Sequence, residues 1–129
     1  FASKGYALGL AARRVDKLEE LARQLEDTYS IRVAVTELDV QDDTQVAPAF
    51  SRLAQELGQI DIVVANAGIT GVRRSGNGNL ALDKAILQTN LVGAIATLDA
   101  ATKIFDFGDH RSFFFHLICV TMGYSGLDF

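Results

Sequence analysis

What most constrains the fold of this chain is an alternation of short uncharged runs with longer stretches in which apolar residues return every three or four positions. Tyr6-Ala7-Leu8-Gly9-Leu10-Ala11-Ala12 carries no charge and predicts a strand buried on both faces of a parallel sheet. Leu18, Leu21 and Leu25 follow, with Lys17, Glu19, Glu20, Arg23 and Glu26 between them, the pattern of a helix with one face on a core. Ile31 to Leu38 alternates apolar with polar residues and predicts a second strand ending at Asp39-Val40. Asp42, Asp43 and Thr44 offer caps for a helix whose stripe is Val46, Phe50, Leu53 and Leu57 and whose stop is Gly58. Pro48 fits that helix only because it lies close to its start. Ile60-Asp61-Ile62-Val63-Val64-Ala65 reads as a third strand, followed by a glycine-rich, basic loop from Asn66 to Asn79. A long helix from about Leu82 to Phe105 and a fourth strand over Arg111 to Val120 complete the reading, and residues 1–5 read as a helix tail closed by Gly5.

Strands alternating with helices over short connections imply right-handed crossovers and a doubly wound α/β fold with a parallel sheet. A layered fold of this kind normally uses more than 129 residues, so one partial domain over residues 1–129 is expected, its sheet incomplete. Residues 106–129 form an atypical tail in which Phe107, Phe113, Phe114, Phe115 and Phe129 crowd together. This tail reads either as an apolar surface for a partner subunit or as a segment foreign to the rest of the chain. A formal charge of −4 argues against any overall attraction to nucleic acid or an anionic membrane, and Arg73-Arg74 lack the aromatic platform of a single-strand binder. The dense apolar stretch Phe113 to Val120 is far short of the roughly 20 residues that span a bilayer. Cys119 is the single cysteine, and neither His110 nor His116 has metal-ligand company. No metal site is therefore expected, and a reducing, cytoplasmic location is.

In a doubly wound sheet, ligands bind beyond the carboxyl ends of the strands. Arg13 and Arg14, after the first strand, put two guanidinium groups where a dinucleotide's adenosine ribose would lie, and a planar fork suits a 2′-phosphate. The same pair also reads as a solvated turn. Asp39-Val40 after the second strand and Asn66-Ala67-Gly68 after the third are short segments that let a flat ligand approach the backbone, although each also reads as a helix entry or a turn. Asn90 lies inside the long helix among Thr89, Leu91, Val92 and Gly93, where an amide is a poor helix former unless its side chain has a partner. It is either functional or hydrogen-bonded to a neighbouring element.

Taken together, Ala12-Arg13-Arg14, Leu38-Asp39-Val40, Asn66-Ala67-Gly68 and Asn90-Leu91-Val92-Gly93 resemble, in order and approximate spacing, the short-chain dehydrogenase/reductase family over residues 1 to about 105. The resemblance implies a Rossmann fold that binds NAD(P), with NADP favoured over NAD, and moves hydride between nicotinamide and a small alcohol or carbonyl substrate. It implies that Arg13 binds the 2′-phosphate with Arg14 assisting, that Asp39 meets the adenine edge with Val40 beside the ring, and that Asn66, Ala67 and Gly68 line the cofactor groove. Asn90 corresponds to the family's catalytic asparagine, and the complete protein is expected to be a homo-oligomer. At the family's catalytic serine position the count through Gly123 gives Val120, whereas a one-residue gap gives Thr121, whose hydroxyl makes it the catalytic candidate.

Two family motifs are absent from these residues. No Gly-x-x-x-Gly-x-Gly loop stands before Tyr6, and Tyr6, Tyr29 and Tyr124 have Leu10, Val33 and Asp128 four residues on, so none has the partner lysine of a Tyr-x-x-x-Lys pair. The expectation is a central fragment of an NADP-dependent short-chain oxidoreductase with negligible activity alone. The alternative is a catalytically inactive truncated chain that binds a nucleotide or pairs with another subunit.

Overall fold

The computed structural model describes residues 1–71 and 78–104 together with the backbone of His116 and Leu117. Strand β1 (Leu8–Ala12) pairs in parallel with β2 (Val33–Glu37), in a register running from Leu8 opposite Val33 to Ala12 opposite Glu37. Parallel neighbours need a crossover, and helix α1 (Val15–Tyr29) supplies it. It ends at Ser30, which takes a left-handed φ of 53° and returns its N–H to the Glu26 carbonyl. The short helical turn Ala2–Lys4 stops at Gly5, whose φ of 80° matches the closure expected there.

Helix α2 (Asp43–Leu57) has the boundaries that its sequence signals. The Asp42 carboxylate accepts the Thr44 N–H at 3.1 Å and the Thr44 hydroxyl at 2.6 Å, and Gly58 leaves the helix at φ 85°. Pro48 lies inside α2, near enough to its start that the helix continues to Leu57. Both α1 and α2 pack on the β1–β2 pair. A Cβ at Gly9 would lie 3.2 Å from the tips of Leu53 and Leu57, so the face carrying Gly9 belongs to α2 and the Leu8–Leu10 face is left to α1. Helices therefore cover opposite faces of the sheet, as the doubly wound reading requires.

The expected long helix is interrupted. Asn79 caps α3 (Leu80–Leu87) by accepting the Leu82 N–H at 3.1 Å, a π-helical turn occupies Gln88–Val92, and α4 (Gly93–Ile104) follows. Thr89, Asn90 and Gly93, all poor helix formers, mark the break. The main core lies where α4 meets α2: Leu38, Val46, Ala49, Phe50, Ala100 and Ala101 are buried together, with Val40, Val63, Ala96 and Ile104 against them.

The third strand is shorter than the expected Ile60–Ala65. Only β3 (Val64–Ala65) has strand form, and it pairs in parallel with β4 (His116–Leu117). The remainder of the expected fourth strand lies outside the described residues. Among the described residues β1 and β3 are not paired with each other, so the ladder consists of two separate pairs. Ile62 and Val64 each remain 39% exposed, and an apolar run without ladder partners on both sides keeps strand form only where a neighbour binds it. No described helix is long and apolar enough to cross a membrane, and no described cluster of acidic, His and Cys side chains suits a metal ion.

Candidate functional site

Of the residues singled out from the sequence, Arg13-Arg14, Asp39-Val40 and Asn66-Ala67-Gly68 follow the carboxyl ends of β1, β2 and β3 respectively, and Asn90 lies in the π-helical turn. Leu38 N–H donates to the carbonyl of Ala12, the last residue of β1, at 3.1 Å, which carries the ladder one residue past β2, so that Arg13-Arg14 and Asp39-Val40 leave the sheet at the same end. Arg13 is exposed and Arg14 half-buried. The Arg14 Nη2 atom is buried and has no hydrogen-bond partner among the described residues. A buried guanidinium nitrogen in that condition is a donor suited to an anion.

Asp39 builds its own loop. Its Oδ1 accepts the Gln41 N–H at 3.0 Å, closing a tight turn, while its N–H donates to Gln45 Oε1 at 3.2 Å. Gln45 Nε2 in turn donates to Asp42 Oδ2 at 2.9 Å. The Thr44 hydroxyl first, and then the Gln45 amide, hold the Asp42 carboxyl below the usual aspartate range. Val40 is half-buried against Gly93, where a Cβ would lie 2.8 Å from Val40 Cγ2, 2.9 Å from its Cβ and 3.0 Å from its carbonyl oxygen. Glycine at 93 thus lets α4 begin directly against this loop.

Asn66, Ala67 and Gly68 follow β3 and are exposed. Ile69, next in the chain, is where the Asn90 amide is engaged: Ile69 N–H donates to Asn90 Oδ1 at 2.8 Å, and Asn90 Nδ2 donates to the Ile69 carbonyl at 2.9 Å. Of the two readings of Asn90, the hydrogen bond to a neighbouring element is therefore present. The turn carrying Asn90 also grips the loop after β2. Gln41 Nε2 donates to Thr89 Oγ1 at 2.9 Å, and Gln88 Nε2 donates to the Gln41 carbonyl at 3.2 Å.

Sequence reasoning did not single out Gln41, Gln88, Thr89 or Ile69. The available signal was the polar trio Gln88-Thr89-Asn90 within an otherwise apolar helix, which a solvent-facing or core-facing stripe does not explain. Thr121, Arg73, Arg74 and the phenylalanine-rich tail lie outside the described residues.

Many α/β proteins share a doubly wound sheet, so the architecture alone assigns no family. The model of the family described as short chain dehydrogenase matches residues 1–112. The chain belongs to the short-chain dehydrogenase family. It is 44% identical over 107 residues to an uncharacterized oxidoreductase of Mycobacterium tuberculosis, a match covering 82% of this chain and 42% of that protein. It is 33% identical over 97 residues to the NADP-dependent 3-hydroxy acid dehydrogenase of Schizosaccharomyces pombe, covering 74% of this chain and 38% of the other. Among solved structures, the alcohol dehydrogenase of Thermococcus sibiricus complexed with 5-hydroxy-NADP superposes with a TM-score of 0.75 at 33% identity, over 80% of this chain and 44% of that one. The Rossmann-like fold is thereby established for this short-chain dehydrogenase sequence, which spans less than half the length of each of these three proteins.

Proposed function

We propose that this chain supplies the adenosine-binding part of an NADP-dependent oxidoreductase that moves hydride between nicotinamide and an alcohol or carbonyl carbon. The observation that carries this reading is the Arg13-Arg14 pair at the carboxyl end of β1, with a buried Arg14 Nη2 that has no partner among the described residues, one strand away from Asp39. In this fold an acidic residue after that strand favours the ribose 2′-hydroxyl of NAD, whereas arginine accommodates the 2′-phosphate of NADP. The donor set therefore fits the phosphorylated cofactor. Arg13 and Arg14 hold the phosphate, Asp39 and Val40 face the adenine, and Asn66, Ala67 and Gly68 line the groove. When bound, NADP supplies or accepts the hydride; the residues of this chain bind and orient its adenosine end. Asn90 takes the position of the family's relay asparagine, and Thr121, by the one-residue gap, is the hydroxyl-bearing candidate at the family's serine position. The reading extends to a small-molecule substrate, a homo-oligomeric complete protein and, with Cys119 as the lone cysteine, a cytoplasmic setting.

Calorimetric titration of the 129-residue chain with adenosine 2′,5′-bisphosphate and with adenosine 5′-monophosphate tests the proposal. Charge-assisted hydrogen bonds to the extra phosphate are expected to give roughly tenfold or greater preference for the bisphosphate. Arg13→Ala and Arg14→Ala are expected to reduce that preference. Equal affinity for the two ligands refutes the assignment of NADP.

A further inference from the structure

One short turn touches loops from both strand pairs. On one side, Gln88, Thr89 and Gly93 meet the loop after β2: Gln88 Nε2 donates to the Gln41 carbonyl, Gln41 Nε2 donates to Thr89 Oγ1, and Gly93 receives Val40. On the other side, Asn90 closes a two-bond pair with the Ile69 backbone after β3. Among the described residues β1–β2 and β3–β4 share no ladder hydrogen bonds, so here the side-chain contacts of one turn are what link the two loops. The contacts through Gln88–Val92 cross that separation.

The turn itself needs such support. A π-helical segment is a rare, strained variant that persists where tertiary contacts hold it and recurs at functional sites. Here Thr89 is buried, and its hydroxyl receives the amide of Gln41 from 48 positions away in sequence. Removing Gln41 leaves the buried Thr89 hydroxyl without this partner, and removing the hydroxyl leaves the half-buried Gln41 amide without it, and each loss favours a rearrangement that returns the group to water.

We infer that Gln41 and Thr89 are positioning residues: through the π-turn they set Asn90 and the Asn66–Ile69 loop relative to the Asp39-Val40 loop. The functional meaning of this rests on the proposed NADP-binding role, because the bracket then joins the adenine side of the cofactor site to the asparagine on the reaction side. Gln41 and Thr89 touch neither substrate nor cofactor in this account. They act through the backbone of the two loops.

Amide hydrogen exchange, followed by NMR on the 129-residue chain, reads the bracket directly, because the Ile69 N–H is bonded to Asn90. Gln41→Ala and Thr89→Val are expected to accelerate exchange at Ile69 by roughly fivefold or more, as expected for a local opening. Thr89→Ser, which keeps the hydroxyl, is expected to restore protection. The reference amides are Leu8, bonded to the Arg32 carbonyl, and Gly58, bonded to the Ala54 carbonyl; both are expected to stay unchanged. Unaltered Ile69 exchange in both variants overturns the inference, and so does acceleration at Leu8 and Gly58 by the same factor, which marks general destabilisation. A second arm adds adenosine 2′,5′-bisphosphate, with slowed Ile69 exchange expected in the parent chain and no such slowing in Gln41→Ala. Binding that leaves Ile69 unaffected in the parent chain overturns the coupling while the NADP reading stands. Failure to bind overturns the NADP reading, and the ligand-free comparison then decides the bracket by itself.

Discussion

Replacing Gly93 with alanine isolates the packing of α4 against the loop after β2. Two opposing effects can be weighed. Alanine is the better helix former by about 1 kcal/mol, so at an open helical position the change would stabilise. At Gly93, however, the new Cβ would lie 2.8 Å from Val40 Cγ2, 2.9 Å from Val40 Cβ and 3.0 Å from the Val40 carbonyl oxygen. A methyl tip can rotate away, but a Cβ and a carbonyl move only with the backbone. The loop here is tied by Asp39 to Gln41 and by Gln41 to Thr89, so it yields little. Overpacking of this kind costs about 1–3 kcal/mol, and the upper part of that range applies where backbone must shift. The net destabilisation is about 1–2 kcal/mol after the helix preference is offset. For a domain of this size that lowers Tm by about 4–12 °C, readable by thermal unfolding followed at 222 nm. A Gly93→Ala chain at least as stable as the parent would refute the claim that the Val40 contact fixes where α4 begins.

Gly9→Ala is the internal contrast: its Cβ meets only the flexible tips of Leu53 and Leu57 at 3.2 Å, so a stability change within about 1 kcal/mol is expected in the same unfolding assay. Gly58→Ala meets nothing within 4 Å but must hold φ 85°, and the backbone strain alone is expected to cost about 1–3 kcal/mol in denaturant unfolding. Phe50→Ala empties a buried core position between α2 and α4 and is expected to lose about 3–5 kcal/mol, measured as a drop in the denaturation midpoint. Asp42 has a folded-state pKa below its unfolded value, so its contribution is present above the ordinary aspartate pKa and is lost as pH falls through the lower folded value. Tm measured against pH is therefore expected to fall more steeply on the acid side for the parent chain than for Asp42→Asn.

The parts of the fold that were legible in the sequence are those with local causes. Helix α2 was readable from Asp42, the Val46-Phe50-Leu53 stripe and Gly58 because cap, stripe and stop all act within one or two turns. The β1–α1–β2 unit was readable for the same reason, although both strands are shorter than their apolar runs. Ile60–Ala65 misled because strand extent depends on which neighbours bind it, and that information is not in the run itself. The helix expected from Leu82 to Phe105 was right in position and wrong in continuity. Its break at Gln88–Val92 depends on Gln41, Val40 and Ile69, which lie far from it in sequence. Asn90 announced that its amide had a partner but not which one.

Asp39 and Asn90 also show why substitutions at such sites need careful choice. Each is matched by resemblance to a ligand-side role, yet each also builds backbone: Asp39 Oδ1 closes the turn at Gln41, and both atoms of the Asn90 amide hold Ile69. Truncation to alanine removes the loop support together with any contact to a bound nucleotide, and the two effects arrive as a single loss. At Asp39 the ambiguity can be resolved, because asparagine keeps an oxygen for the Gln41 N–H while removing the charge. At Asn90 no isostere does the same, since aspartate retains the acceptor for Ile69 N–H but places a second acceptor against the Ile69 carbonyl. The two residues therefore differ in kind. At the end of β2 the charge of Asp39 can be removed while its turn-closing oxygen is kept, whereas in the π-turn both amide atoms of Asn90 are committed to the Ile69 backbone.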